Sequence, residues 1–259
     1  MQHLKTITIA LVALLALGGV AAAAAQAEEA PYWSIAGTRL GAGETKDFRF
    51  RSEEGGLRRT KKFVLTSTIG EKVTCTKQTL SGGSVLNGSA AGNPGLSEEL
   101  IEFSGCTVEH NGTGCKVEKN EFFTERLKNE LVLDAAEKRY NQVLFKPATG
   151  NRFATIKFEG AECTFKETVV EGEVVGEFWS DPPEGKGEEE KKEESSEKAP
   201  AVSKLIKFPA TEITSVWLIK SGVGEDFRVN LLRAFTEPAT LSGTSLMVLA
   251  NETSWSVLG

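Results

Sequence analysis

KKFVLTSTIGEKVTCTK, residues 61–77, reads as two strands and the reversal between them. Lys61 to Thr68 and Lys72 to Lys77 are rich in β-branched residues, and Gly70 lies between them as a turn. The same style extends outward in both directions. Lys46 to Arg51 alternates polar and aromatic side chains. Glu99 to Val108, Gln142 to Lys146, Arg152 to Phe158 and Thr168 to Phe178 follow. Lys204 to Phe208, Glu212 to Lys220, Asp226 to Leu232 and Ala239 to Leu249 complete the series. Strand signals at this spacing predict an all-β fold, an antiparallel sandwich or barrel-like single domain over residues 28–259.

One stretch competes with that pattern. EFFTERLKNELVLDAAEKRY, residues 121–140, is rich in good helix formers, with Phe123, Leu127 and Leu131 four apart. It reads either as a helix or as a hairpin whose strand is Leu131-Val132-Leu133 and whose loop is Asp134 to Arg139. Two further segments read as flexible. Residues 181–202 form an acidic insertion; its stretch PPEGKGEEEKKEESSEKAP (182–200) carries no large apolar side chain to offset the entropy of ordering. Ser81 to Gly95, SGGSVLNGSAAGNPG, is the second.

The first 27 residues, MQHLKTITIALVALLALGGVAAAAAQA, predict a cleavable signal peptide. Lys5 precedes a strongly apolar run, Ile7 to Leu17, of signal-peptide rather than membrane-spanning length. Ala25-Gln26-Ala27 fits the small-x-small pattern of signal peptidase, and Glu28-Glu29 follows at once. The alternative is an uncleaved anchor that counts on through the alanines. Without the leader the expectation is a secreted or cell-envelope chain with no integral membrane segment. Loss of Lys5 from the 30 basic side chains leaves 29 against 36 acidic ones. That balance argues against nucleic acid or an anionic membrane surface as partner.

Cys75, Cys106, Cys115 and Cys163 make an even set in an exported chain, and none of their spacings is that of a zinc or redox C-x-x-C pair. Disulfides are therefore expected. Three connectivities are open, and the Asn111-Gly112 turn signal favours Cys106–Cys115, leaving Cys75–Cys163.

A search for chemistry returns little. His110 is the single histidine outside the leader, in a predicted turn with no nucleophile nearby in sequence. No nucleophile-elbow or phosphate-binding glycine motif occurs. Glu171, Glu173 and Glu177 are expected on one solvated face of a strand. Trp33, Trp179, Trp217 and Trp255 are either core residues or a sugar-stacking surface. Asn87, Asn111 and Asn251 head glycosylation sequons. No catalytic, cofactor-binding or metal residues are assigned.

Several of these elements recur together in a group of exported, four-cysteine, β-rich proteins of soil actinobacteria, which the chain resembles. The matching segments are Val73-Thr74-Cys75-Thr76, Phe103-Ser104-Gly105-Cys106, Cys115, and Thr124 with Leu127 and Leu131. Val143-Leu144-Phe145-Lys146-Pro147, Phe158 with Cys163, Val170 to Gly176, and Leu241-Ser242-Gly243-Thr244 complete them. The resemblance runs from about Ile69 onward, and the acidic insertion departs from it. It implies strand rather than helix for residues 121–140, and no activity carries over from it. The expected function is an exported non-enzymatic structural or ligand-binding protein, with a glycan or envelope component as partner. The alternative is a secreted, carboxylate-dependent hydrolase acting on polysaccharide.

Overall fold

The computed structural model describes residues 30–51, 62–88, 93–134, 139–180, 203–208, 216–221, 224–229 and 232–258. The leader and the acidic insertion lie outside the described residues. In chain order the strands are β1 (Tyr32–Ile35), β2 (Thr38–Arg39), β3 (Thr45–Arg51), β4 (Phe63–Ser67), β5 (Lys72–Leu86), β6 (Leu96–Glu109) and β7 (Lys116–Val117). Then come β8 (Glu121–Phe123), β9 (Leu127–Asp134), β10 (Arg139–Phe145), β11 (Arg152–Glu159), β12 (Glu167–Gly172) and β13 (Val174–Ser180). The last are β14 (Ser203–Phe208), β15 (Val216–Ser221), β16 (Gly224–Val229), β17 (Leu232–Ala234), β18 (Glu237–Leu249) and β19 (Trp255–Leu258). Among the described residues there is no α-helix, so none long and apolar enough to cross a membrane. The fold is all-β and antiparallel.

Strand β18 organises the sheet because both of its edges are used twice. One edge pairs β4 over Ala239 to Ser242 and β3 over Leu246 to Leu249. The other pairs β17 over Glu237 to Ala239 and β14 over Gly243 to Val248. Strand β5 pairs β6 along its length and gives its second edge to β4 and then β3. The second edge of β6 takes β9 and then β8.

Two closed circuits follow. The first ring runs β5, β6, β9, β10, β13, β14, β18, β3 and back to β5. The second runs β5, β6, β8, β11, β12, β17, β18, β4 and back, with β8 joined to β11 by the bridge Thr124↔Ala154. The shared strands β5, β6 and β18 have 15, 14 and 13 residues, against the usual five or so, because each serves both rings. Circular pairing gives each of these strands partners on both edges.

Two glycines interrupt the burial pattern of the shared strands. In β6, Ser97, Glu99, Ile101 and Phe103 are buried in alternation, and the next buried residue is Cys106. The beat is shifted at Gly105, whose φ is +62° and where a Cβ would collide with Thr76 Oγ1. In β18, Gly243 lies where pairing passes from β4 toward β3. Its φ is +151°, and a Cβ there would lie 2.6 Å from the Phe63 ring.

One contiguous core fills both rings. In the second, Phe63 meets Phe103 edge-on and Phe103 stacks on Phe122 at 4.9 Å. At the end of the first ring remote from the second, a small sheet of β19, β1 and β2 inserts Trp33 and Trp255. Both are buried, and both meet Phe178. The Trp33 indole N–H donates to the Leu96 carbonyl, and its backbone N–H donates to Asn87 Oδ1.

The structure corrects two readings and decides a third. The disulfides are Cys75–Cys106 and Cys115–Cys163, not Cys106–Cys115 and Cys75–Cys163. Register explains the first, since Cys75 stands directly opposite Cys106 with Cα atoms 4.0 Å apart. Side-chain bonding explains the second. Asn111, taken as a turn residue, instead donates from Nδ2 to the Phe165 carbonyl and accepts the Phe165 N–H, docking its loop on the β11–β12 connection. In the chain-entropy model each bridge contributes about 4 kcal/mol.

Residues 121–140 are strand wherever they are described, forming β8, β9 and the start of β10. A four-residue apolar spacing is also a multiple of the strand period, and Leu127, Asn129 and Leu131 share one buried face. Ser81 to Leu86, read as part of a flexible loop, continues β5 past a register shift between Leu80 and Gly83.

Non-reducing digestion of the protein is expected to release peptides linking Cys75 to Cys106 and Cys115 to Cys163. Recovery of a Cys106–Cys115 peptide would contradict the register of β5 and β6. The substitution Gly243→Ala is expected to cost about 1–3 kcal/mol in urea unfolding, through overpacking against Phe63 and backbone strain. An unchanged midpoint would show that β18 does not depend on that close approach.

Candidate functional site

The residues singled out in the sequence do not converge. His110 is exposed just past the end of β6, with φ +69°, near Glu71 and Glu109. Trp33 and Trp255 are core residues, so neither stacks on a sugar. The side chains of Trp179 and Trp217 lie outside the described ones. Glu171, Glu173 and Glu177 do not share one strand face, because the chain breaks between β12 and β13. Gly172 there has φ +105° and carries the backbone from the second ring to the first. Glu171 pairs opposite Arg233, and Glu177 opposite Gln142.

Two of the three sequon asparagines are structural. Asn87 is buried, and its amide donates to the carbonyls of Trp33 and Leu40. Asn111 is buried and committed to Phe165. Asn251 is exposed. Among the described residues no three His, Cys, Asp or Glu side chains are grouped as metal ligands would be.

Concavity and charge pick out two places that the sequence did not. The first is inside the first ring. Glu99 is 3% exposed, on the inward face of β6. Ser97 Oγ donates to Glu99 Oε2 at 3.1 Å, and Asn129 Nδ2 on β9 donates to Ser97 Oγ at 3.1 Å. Ser97 and Asn129 are register partners, so strand pairing itself sets the cluster. Burial pushes the Glu99 carboxyl up to about 8, opposed by the hydrogen bonds from Ser97 and Asn129. No charged side chain contributes to that shift. The carboxyl is neutral at pH 7 and enclosed, which makes it a structural acid rather than one that meets a substrate.

The interior of the second ring offers no room either. Its cavity is about 20 Å³ and is walled by Phe63, Val73, Phe103, Phe122 and other apolar groups, a dry void of water size.

The second place is an outer cleft of about 620 Å³ on the first ring. Its wall is the outward face of β9 and the end of β10, with Lys128, Glu130 and Lys146. Facing them are Leu86, Asn93, Pro94 and Leu96 from the ends of β5 and β6 and the segment between them. The alternation of β9 builds it: Leu127, Asn129 and Leu131 point inward, so Lys128 and Glu130 point out. Lys146 Nζ pairs with Glu130 Oε2 at 2.9 Å, and Arg126 with Glu98 at 3.4 Å. Smaller concavities of about 380 and 340 Å³ lie beside Arg233 and Phe235, and beside Phe122 and Phe123.

No family model matches this chain, and no curated protein and no solved structure matches it. The site therefore has to be read from its own chemistry.

The Glu99 carboxyl has a direct consequence for stability. Its folded value, about 8, lies above the 4.5 of the free group. The unfolded chain releases the proton first, so stability is full below pH 4.5 and declines as pH rises to about 8. Glu99→Gln keeps the shape and removes the ionisation. It is expected to match the parent in urea unfolding at pH 4 and to be more stable by roughly 3 kcal/mol at pH 7. A variant no more stable at pH 7 than the parent would show that Glu99 is ionised or hydrated in the fold.

Proposed function

We propose that this chain is an exported, non-enzymatic protein of the cell envelope or extracellular space that works by binding, with a glycan or another envelope component as its partner. The observation that carries this reading is where space is available. Both rings are filled by side chains, while the roomiest of the described concavities lies on the outer face of strands held at both edges. A ligand would meet a stiff surface there, which lowers the ordering cost of binding.

The compartment belongs to the same proposal. The leader-like first 27 residues and two disulfides fit an oxidising, extracytoplasmic setting. Within this reading the disulfides serve rigidity. Cys75–Cys106 ties the two shared strands β5 and β6, and Cys115–Cys163 ties the loop after β6 to the β11–β12 connection.

The test is a glycan array and an isolated cell-wall preparation probed with the mature protein, followed by product analysis. Retention of saccharide without release of new reducing ends is the expected result. Cleavage that disappears when a surface carboxylate is replaced would establish the polysaccharide hydrolase instead.

A further inference from the structure

We propose that the outer cleft of the first ring binds the carboxylate of a sugar acid, with Lys128 as the principal contact of the anion and Lys146 as a second cation beside it. This inference rests on the binding reading above and names its site and ligand class.

The argument starts from register. Glu98 on β6 stands opposite Lys128 on β9. The Lys128 N–H donates to the Lys146 carbonyl, and Leu127 bridges to Pro147, which sets Lys128 and Lys146 side by side beyond the end of β10. Like charges on neighbouring strands repel and are ordinarily avoided. Two carboxylates are near enough to relieve the repulsion, and each is engaged elsewhere: Glu130 with Lys146 and Glu98 with Arg126. Lys128 is exposed, and its ammonium has no hydrogen bond or ion pair among the described residues. The cluster of Arg126, Lys128, Lys146, Glu98 and Glu130 therefore carries one positive charge in excess. It does so on a chain whose formal charge is −6. An ammonium left over beside a cleft is available to an anion that enters it.

The remaining lining selects the ligand. Leu86, Pro94 and Leu96 give an apolar ledge that suits the C–H face of a pyranose. Asn93 is exposed at the rim, where its amide can meet hydroxyl groups. The volume lies inside the range of roughly 300–1,000 Å³ usual for small-ligand sites. An anion with a compact, hydroxylated, partly apolar body satisfies all three features, and a uronate is that molecule.

Calorimetric titration of the mature protein with glucuronate, glucose and inorganic phosphate, at low ionic strength, tests it. Glucuronate is expected to saturate and glucose is not. Lys128→Gln is expected to weaken glucuronate by about tenfold or more, the scale of one charge-assisted hydrogen bond, and Lys146→Gln by less. Lys72→Gln, whose parent pairs with Glu109 on the second ring, is expected to leave binding unchanged. Near-ultraviolet circular dichroism confirms that each variant is folded. Glucose binding as well as glucuronate, phosphate binding more tightly, or a folded Lys128→Gln that binds unchanged would each overturn the proposal. If an array shows retention of neutral polysaccharide that Lys128→Gln does not alter, this site is wrong while the binding function stands.

Discussion

Strand β18 pairs four other strands, two along each edge, and every other element takes its place from that arrangement. A single strand can bound two rings only if it is long enough to reach both. Length comes from thirteen residues without a breaking turn. Gly243 lies where the partner changes from β4 to β3, and there the Phe63 ring occupies the space a Cβ would need. Strands β5 and β6 meet the same requirement as a pair, cross-linked at Cys75–Cys106 close to Gly105. The disulfide lies in the second ring's part of the shared wall and holds that wall in one register.

The two rings differ in what they enclose. The second is aromatic and dry, with Phe63, Phe103, Phe122 and Phe153 lining a void of water size. The first combines the Trp33–Trp255–Phe178 cluster at its far end with the polar group of Ser97, Glu99 and Asn129. A neutral acid in such a place disfavours any state that would ionise it. The same β9 that supplies Asn129 to the interior presents Lys128 and Glu130 to the cleft outside. Interior and cleft are thus two faces of one strand, set by one register.

Much of the architecture was legible along the chain. Most of the longer described strands coincide with runs of β-branched and aromatic residues, because a half-buried pleated surface selects those side chains wherever it lies. The terminal strands β1 and β19 were not legible. They are four residues each, and they owe their stability to Trp33 and Trp255 meeting Phe178 rather than to a local pattern. The helix signal in residues 121–140 is a case of spacing with two solutions. Pairing to β6 decides it, since only as a strand can Leu127 to Glu130 bond to Leu96 through Glu99.

The candidate site was not legible, and the reason is geometric. Lys128, Glu130 and Lys146 sit in a charged, unremarkable stretch of sequence, and Glu98 lies some thirty residues before the first of them. Only their register across β6, β9 and β10 turns five scattered charges into a cluster with one cation over. The sequence by itself determined the all-β class, because side-chain shape and period act locally. It also determined that four cysteines were available for two bridges. Tertiary structure decided which cysteines meet, which tryptophans are core and which lysine is left facing a cleft. Those outcomes depend on which strands become neighbours, and neighbours are chosen by ring closure across the whole chain rather than by any one segment.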